Sequence, residues 1–307
     1  MTEQYHNQPY FPNTVSGVLV IDKPVGMTSH DVVQAVRAGT RINRAGHTGT
    51  LDPRASGVLV VLLGPAVRLS EYVSASDKRY QAILQLGFST DTYDLEGTVT
   101  SRAPVDISYE EFEETLATFV GEYEQKPPIY SAIKKDGKKA YELARKGVEV
   151  ELESRMINVR SLELIDWDPP EAVIDIHCSS GTYVRSLAND LGEKLGCGAT
   201  LTGLRRTKNG QFGLRDAVPL RRLREAFTRG DWYQYLIPAA EALSDWYTIE
   251  LDENMLNEVR HGHRIAADEE MEAGKWARAI TMDGELAAIM EYIAETKEWQ
   301  PRKVIFQ

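Results

Sequence analysis

Cysteine is scarce in this chain, with only Cys178 and Cys197 among its 307 residues. Two cysteines cannot form a disulfide framework, and the sequence has no C-x-x-C or H-E-x-x-H pattern that would bind a metal. His261 and His263 lie close together without other ligand types nearby, so we interpret them as surface or structural residues. We therefore expect chemistry by ordinary side chains, without a metal.

Long hydrophobic runs are also absent, and the N-terminal residues MTEQYHNQPYFPNTVSG are polar. A membrane-spanning helix needs about 20 consecutive apolar residues, and a secretory signal needs an apolar segment near the N-terminus. We therefore expect neither feature. The sequence predicts a cytoplasmic protein that does not bind membranes.

Basic residues are outnumbered, since the chain has 35 Lys and Arg against 46 Asp and Glu and a formal net charge of −11. At first sight this argues against a nucleic-acid partner, because phosphate binding requires a basic surface. The charge is uneven, however, with 13 acidic and 7 basic residues in 249–307. Residues 134–146 hold six basic and two acidic groups, and residues 205–224 hold seven and one. Because local fields decide binding, both segments are candidate phosphate contacts, with a solvated helix face as the alternative.

The length indicates one large domain, or a large domain with a small one attached. Strand and helix patterns follow each other in irregular order, which is typical of an α+β fold. Residues 1–16, with Pro9 and Pro12, are predicted as a flexible tail, and a change of composition near Asp245 predicts a large domain at 17–246 and a small β-rich domain at 247–307. The predicted elements include strands at 17–21, 58–63, 78–86, 148–153 and 304–306, and helices at 29–39, with Ser29 as N-cap, 140–146 and 183–195.

The most distinctive stretch covers residues 44–63 and reads RAGHTGTLDPRASGVLVVLL. Its glycines allow backbone conformations closed to other residues, and Pro53 biases Asp52 away from the helical region. Such a loop, running straight into an apolar strand, can hold the Asp52 carboxylate at the mouth of a cleft. The alternative is a simple turn, because Gly, Pro and Asp are common in turns everywhere.

Four separated blocks place this stretch in a wider pattern. They read GVLVIDKPVGMTSHDVV, GHTGTLDPRASG, KRYQAILQLGFSTDTYDLEG and GTYVRSLANDLGEKLGCGATLTGLRR, and they span most of residues 17–206. In this order they resemble the tRNA pseudouridine(55) synthases, the bacterial TruB-type family that isomerises one uridine in the T-loop of tRNA. The resemblance implies a mixed, mostly antiparallel central sheet with flanking helices, and a PUA-like C-terminal domain.

The resemblance assigns the chemistry to three residues. Making pseudouridine breaks a C–N glycosidic bond and forms a C–C bond without redox change, so no cofactor is expected. Asp52 is the candidate nucleophile, which must be ionised to react, and a dry pocket keeps a carboxylate ionised only beside a cation. Arg185, after the GTY turn, is the candidate cation because a guanidinium stays charged and can pair bidentately. The matching KRY block implies that the Tyr80 ring stacks on the flipped uracil with its hydroxyl near the C5 proton.

Four further residues are candidates for substrate binding. The resemblance implies that Tyr183 lies beside the nucleotide and Leu204 against the base. His47 could fill the gap left by the extruded nucleotide, since flat side chains commonly stack in RNA loops. Lys23 holds either the loop that carries Asp52, called the signature loop below, or a backbone phosphate. The sequence favours neither role.

Other functions explain the sequence less well. A non-catalytic RNA-binding or RNA-folding protein on this scaffold predicts loss of Asp52, Tyr80 or Arg185, yet all three are present, although a tRNA-folding role can coexist with catalysis. A carboxylate-pair glycosidase needs a second acidic motif facing the first, and none is comparable. The guide-RNA-dependent branch of the family carries a larger basic PUA domain, whereas this chain ends in a short acidic one. We therefore expect a monomeric enzyme that acts on the T-arm of tRNA without a guide RNA.

Overall fold

A computed structural model describes residues 15–130, 134–135, 138–140 and 152–305. The helices of this part are α1 (Ser29–Thr40), α2 (Ser70–Ser74), α3 (Tyr109–Ala117), α4 (Val184–Leu195), α5 (Leu220–Arg229) and α6 (Glu253–Arg260). Its strands are β1 (Gly17–Lys23), β2 (Ala45–His47), β3 (Ser56–Leu63), β4 (Lys78–Leu86), β5 (Phe88–Thr90), β6 (Val99–Arg102), β7 (Gly121–Gln125), β8 (Lys134–Lys135), β9 (Lys138–Lys139), β10 (Arg155–Asp168), β11 (Glu171–Cys178), β12 (Ala199–Asn209), β13 (Phe212–Gly213), β14 (Val218–Pro219), β15 (Ile237–Pro238), β16 (Tyr247–Leu251), β17 (Ile265–Ala266), β18 (Trp276–Thr281), β19 (Leu286–Ile293) and β20 (Glu298–Val304).

The fold is α+β with a large, mostly antiparallel mixed sheet, which confirms the class predicted from the sequence. The chain divides into two compact units. Unit 1 holds the described residues up to Pro53, those from Gly57 to Ser74 and those from Gln211 onward, and unit 2 holds Arg54–Ser56 and the described residues from Ala75 to Gly210. In the described part of the chain, no helix is long and apolar enough to span a membrane.

In unit 1, β1 and β3 form the centre of the sheet. They pair antiparallel from Gly17 opposite Leu63 to Lys23 opposite Gly57, while β14 pairs parallel with β1 at Ile21. Apart from half-buried Ser56, every residue of β3 is buried, as its unbroken apolar sequence requires. Strand β2 pairs with β3 and places His47 opposite Val61. The loop that carries Asp52 therefore connects two neighbouring strands.

The C-terminal part of unit 1 is a five-stranded half-barrel with the order β16-β18-β19-β20-β17. Its core contains apolar side chains such as Met290, Tyr292 and Trp299. The strand predicted at 304–306 was wrong in its bounds, since β20 begins at Glu298 and ends at Val304. Pro301 concealed this strand, because it lies at a register shift opposite Met290, where a bulge tolerates proline.

An aromatic trio connects the half-barrel to α2 within unit 1. The ring of Tyr72 lies 5.5 Å from those of both Trp246 and Trp276. Nearby, Arg68 Nη1 donates to the Val304 carbonyl at 2.6 Å. The half-barrel begins at Tyr247 with β16, and the domain boundary between 246 and 247 stays a prediction.

In unit 2, five antiparallel strands lie in the order β12-β4-β11-β10-β7. Side chains alternate along β4, with Tyr80, Ala82, Leu84 and Leu86 buried on one face as the sequence pattern predicts. Helix α4 packs against β12 and β4 on this sheet. This places the helix that carries Arg185 next to the strand that carries Tyr80.

Some predicted elements lie outside the described residues. These are the helix at 140–146, except Ala140, most of the strand at 148–153, most of the basic segment 134–146 and most of the tail at 1–16. Within the basic segment, the backbones of β8 and β9 pair antiparallel.

Candidate active site

The first turn of α1 fixes the residue before Asp52. Ser29 was predicted to cap this helix, but the N-cap is Thr28, which forms a reciprocal capping box with Asp31. Ser29 is instead buried and hydrogen-bonds Leu51 twice: its hydroxyl donates to the Leu51 carbonyl at 3.1 Å and accepts from the Leu51 amide at 2.8 Å. The Ser29 hydroxyl therefore satisfies both backbone groups of Leu51, as a neighbouring strand would do in a sheet.

Lys23 fixes the residue after Asp52. Its side chain is fully buried, and its ammonium donates to the carbonyls of Met27 at 2.7 Å, Pro24 at 3.0 Å and Pro53 at 3.4 Å. The amide of Gly26 donates to the same Pro53 carbonyl at 2.8 Å. A buried ammonium needs such acceptors because an unsatisfied one is very unfavourable. This is the geometry of a loop anchor, one of the two roles that the sequence left open.

Asp52 itself is half-buried between these two anchored neighbours. Gly49 and Gly57, on either side, have φ values of 151° and 101°, which L-residues rarely adopt. His47 is half-buried, and its Nδ1 accepts from the Gly49 amide at 3.3 Å. The loop thus holds a carboxylate and an imidazole on a backbone with little conformational freedom.

Arg185 lies in the first turn of α4 in unit 2 and is 7% exposed. Its Nη1 lies 3.3 Å from Asp94 Oδ2 and donates to the Thr92 carbonyl at 3.3 Å, while Nη2 donates to the Tyr130 carbonyl at 3.0 Å. The other Asp94 oxygen accepts from the Thr92 hydroxyl at 2.6 Å and the Glu96 amide at 2.9 Å. Both members of the ion pair are therefore held in place.

The loop that supplies Asp94 turns sharply. Tyr93 has a φ of 65°, in the left-handed region that non-glycine residues seldom occupy. The turn allows the Thr92 carbonyl and the Asp94 carboxylate to reach the same guanidinium. Two residues further on, Glu96 Oε1 lies 3.8 Å from Arg54 Nε.

Tyr183 is the N-cap of α4, with extended backbone and without a side-chain cap. The fully buried amide of Gln125 serves the backbone instead: Gln125 Oε1 accepts from the Tyr183 amide at 2.8 Å, and Nε2 donates to the Tyr183 carbonyl at 3.0 Å. The guanidinium of Arg155 covers the ring, with its central carbon 4.5 Å from the ring centroid. Tyr183 is therefore held by both its backbone and its ring.

Tyr80 and Leu204 share one face of the β4–β12 pair. Tyr80 is opposite Arg206, and Leu204 is opposite Ala82. Tyr80 and Arg206 are 8% and 1% exposed, whereas Leu204 is half-buried. Lys78 is on the same face of β4, and burial, aided by the positive charge of Arg206, lowers the pKa of its ammonium to about 8.

Two contacts besides the Gln125 amide connect the end of β7 to α4. The Tyr123 hydroxyl donates to Asp190, and the Ser186 hydroxyl donates to the Lys126 carbonyl at 2.8 Å. Burial raises the pKa of the Asp190 carboxyl, and the bond from Tyr123 opposes this shift. These contacts fix the helix that presents Tyr183 and Arg185.

The predicted site residues fall into two sets. Lys23, His47 and Asp52 lie together in unit 1, and the remaining four lie in unit 2: Tyr80, Tyr183, Arg185 and Leu204. The pairing of Asp52 with Arg185 joins the two sets and stays a prediction. Among the described residues, no group of three or more His, Cys, Asp or Glu side chains could hold a metal ion.

The basic side chains of segment 205–224 differ in accessibility. Arg206 is buried on β12, and Arg205 donates to the Ser56 hydroxyl at 3.4 Å. Arg221, Arg222 and Arg224 are exposed on α5. Lys208 and Arg215 are exposed as well, so these five side chains are the accessible candidates for phosphate contacts in this segment.

Sequence reasoning missed the roles of Asp94, Gln125 and Ser29, which hold predicted site residues or their neighbours in place. Asp94 lies in the block STDTYDLEG, so its signal was within a stretch already recognised. Gln125 gave no signal and Ser29 was predicted only as a helix cap, because each acts on the backbone of a residue far away in sequence.

Family models and sequence relatives agree on the family. The model of the TruB family pseudouridylate synthases (N-terminal domain) matches residues 37–184, and that of the tRNA pseudouridylate synthase B C-terminal domain matches 185–244. The tRNA pseudouridine synthase B of Pseudomonas aeruginosa (strain UCBPP-PA14) is 39% identical over 295 residues, 95% of this chain and 96% of that protein. The chain belongs to the TruB family of pseudouridine synthases. It is thus an isomerase.

Further similarities support the TruB assignment and the fold. The tRNA pseudouridine synthase B of Escherichia coli (strain K12) is 47% identical over 229 residues, 75% of this chain and 72% of that protein. A chain in a solved Cbf5–Nop10–Gar1 complex has a TM-score of 0.74 at 25% identity, covering 94% of this chain and 85% of that chain. A chain in an H/ACA RNP bound to a substrate RNA containing 2'-deoxyuridine has a TM-score of 0.76 at 22% identity, covering 99% and 93%. The last similarity shows the fold alone.

Proposed function

We propose that this TruB-family enzyme isomerises uridine 55 in the T-loop of tRNA to pseudouridine. The relatives named tRNA pseudouridine synthase B support tRNA as the substrate. The observation that carries the proposal is the double anchoring of the Asp52 loop by Ser29 and Lys23. A nucleophile must be held in a reactive orientation, and this loop has the anchors to do so.

The reaction begins with extrusion of the target base from the T-loop stack, which costs a few kcal/mol. Asp52 then forms a covalent adduct with the nucleotide, either at the uracil or at the ribose. The bond from the ribose carbon to N1 breaks, the base rotates, and a bond from the same ribose carbon to C5 forms. The bond between Asp52 and the nucleotide breaks again and frees the carboxylate, the C5 proton leaves and N1 gains a proton, so the net change is an isomerisation.

Tyr80 and Arg185 assist these steps. We propose that the Tyr80 ring stacks on the uracil and that its hydroxyl handles the C5 proton. We propose that Arg185 is the cationic partner of the Asp52 carboxylate. A guanidinium has five N–H donors, so it can serve Asp52 in addition to Asp94 and the two carbonyls it already contacts.

The remaining site residues bind the RNA. We propose that Tyr183 lies beside the flipped nucleotide, that Leu204 contacts the base, and that His47 fills the space the base has left. Lys23 acts as the anchor of the signature loop, because its ammonium donates to three carbonyls. The exposed arginines of α5 contact phosphates, and the enzyme acts as a monomer without a guide RNA.

The deciding experiment maps modified uridines in tRNA from cells that lack this protein, with restoration by the wild type or by Asp52→Asn. We expect pseudouridine at position 55 to disappear, to return with the wild type and to stay absent with the variant. Unchanged modification of position 55 in the deletion strain, or its restoration by Asp52→Asn, would contradict the proposal.

A further inference from the structure

Tyr183 is held by two residues that lie opposite each other on neighbouring strands. Arg155 begins β10, and its register partner on β7 is Gln125. Gln125 fixes the Tyr183 backbone through two hydrogen bonds, and Arg155 covers the ring. Because one strand pair supplies both contacts, the backbone and the ring of Tyr183 are fixed relative to the same sheet.

The contact between Arg155 and Tyr183 is a cation–π contact between a guanidinium and a phenol ring. Arg155 Nε is buried and has no hydrogen-bond partner among the described residues, while the central carbon of its guanidinium lies 4.5 Å from the Tyr183 ring centroid. Gly181 has a φ of 83°, and a Cβ added at this position would lie 3.6 Å from Arg155 Nη1, so a side chain here would rest against the same guanidinium. A guanidinium stacks flat on an aromatic face, and this attraction grows when the pair is shielded from water. The arginine therefore determines which face of the Tyr183 ring remains open to a ligand.

We propose that Arg155 and Gln125 are positioning residues for the isomerisation. They hold Tyr183, and with it the first turn of α4 that carries Arg185, in the orientation that the flipped nucleotide requires. This inference rests on the proposed function, in which Tyr183 lies beside that nucleotide. Neither residue touches the reacting atoms.

A double-mutant cycle tests the inference with purified full-length protein and tRNA. We expect Arg155→Met to lower kcat about tenfold while KM changes less than about twofold, because lost positioning acts on the transition state. In a Tyr183→Leu background the same substitution should lower kcat less than about twofold further, since no ring remains to be held. Arg102→Met is the matched control, because its guanidinium lies 5.5 Å from the Phe88 ring at an exposed position.

Several results would overturn the inference. An undiminished effect of Arg155→Met in the Tyr183→Leu background would show that Arg155 acts independently of the ring. A raised KM together with a smaller salt dependence of tRNA binding would show a phosphate contact instead. If Arg155→Met does not fold, Arg155→Lys decides, since it keeps the charge without the planar stack. We expect this variant to lose several-fold in kcat, and an unchanged kcat would contradict the proposal.

A second measurement separates this inference from the proposed function. The ring signals of Tyr183, assigned through Tyr183→Leu in protein with isotope-labelled tyrosine, should shift in Arg155→Met but not in Arg102→Met. If the wild type is inactive but the Tyr183 signals still shift in Arg155→Met, the proposed function is refuted and the Arg155–Tyr183 contact stands. Unshifted signals would refute the positioning role, whatever the activity.

Discussion

Arg185 Nη1 lies 3.3 Å from Asp94 Oδ2, and the two side chains are only 9% and 14% exposed. The pair joins the first turn of α4 to a loop in which Tyr93 adopts a left-handed backbone. A buried guanidinium without an anionic partner is strongly destabilising, so Asp94 stabilises the charged Arg185 even when no substrate is bound. The Arg185 guanidinium is thus held by contacts within unit 2 before RNA binds.

Asp94→Asn should weaken this arrangement while leaving its shape intact. We expect a loss of about 2 kcal/mol in the free energy of unfolding, typical of a hydrogen bond to a charged group, and a fall in kcat of at least about tenfold. Urea unfolding and steady-state kinetics measure the two effects. Asp91→Asn, the same change in the same loop at an exposed position, is the control and should be nearly neutral. If Asp94→Asn keeps the kcat of the wild type, the Arg185–Asp94 ion pair has no role in catalysis.

Asp52→Asn should abolish turnover while the fold and tRNA binding persist. The amide has nearly the same shape as the carboxylate but is not a nucleophile, so no covalent adduct can form. A mass-resolved assay of pseudouridine measures the loss, and a binding assay confirms retained affinity. The control is Asp283→Asn, an exposed aspartate of the half-barrel. Substantial product from Asp52→Asn would show that another residue is the nucleophile.

Tyr80→Phe separates stacking from proton transfer. The ring remains, so binding should change little, whereas loss of the hydroxyl should lower kcat by about 100-fold or more if it handles the C5 proton. Steady-state kinetics and a tRNA binding assay give the two numbers. Equal, small effects on rate and affinity would leave stacking as the sole role of Tyr80.

If the exposed arginines of α5 contact phosphates, they should contribute to the salt dependence of tRNA binding. Arg221→Gln combined with Arg224→Gln should reduce the slope of log affinity against log salt by about two, roughly one per phosphate contact. Arg222 is left in place because it donates to the Tyr235 hydroxyl at 3.0 Å. Arg264→Gln with Arg302→Gln, on the acidic half-barrel, is the charge-matched control. An unchanged slope in the α5 variant would exclude this helix from RNA contact.

Lys78 predicts a pH dependence of stability. Burial, aided by the positive charge of Arg206, lowers its pKa from 10.5 to about 8 in the folded state. Between these two values the unfolded chain binds the proton and the folded chain does not, so this group's contribution to stability rises with pH. Lys78→Met should therefore be more stable than the wild type at pH 7, and the difference should shrink by pH 10. Urea midpoints measure it, with the exposed Lys275→Met as control, and a difference independent of pH would contradict the assignment to Lys78.

The sequence predicted local features well where the pattern and its physical cause lie in the same stretch. The alternation of β4, the buried run of β3 and the helix after the GTY turn are of this kind. The predicted role of Ser29 as N-cap was wrong, because two neighbouring residues can cap this helix. Thr28 is the N-cap, and the Ser29 hydroxyl hydrogen-bonds the Leu51 backbone instead. A single sequence does not show such a long-range choice.

The candidate site was predictable to a different extent. The matching blocks proposed Asp52, Tyr80 and Arg185, whereas the local sequence alone supports a surface arginine and a functional one equally at position 185. Asp94, Gln125 and Arg155 were missed because their roles depend on three-dimensional contacts with residues far away in the chain. Pairwise geometry of this type follows from the tertiary fold.

The aromatic trio of Tyr72, Trp246 and Trp276 gives the protein an intrinsic optical probe. Two indoles with ring centroids 6.0 Å apart, both beside the same phenol ring, lie where the half-barrel adjoins α2 within unit 1. Their ultraviolet emission should therefore change if the half-barrel separates from that helix. Fluorescence recorded during tRNA titration can thus follow the half-barrel without any attached dye.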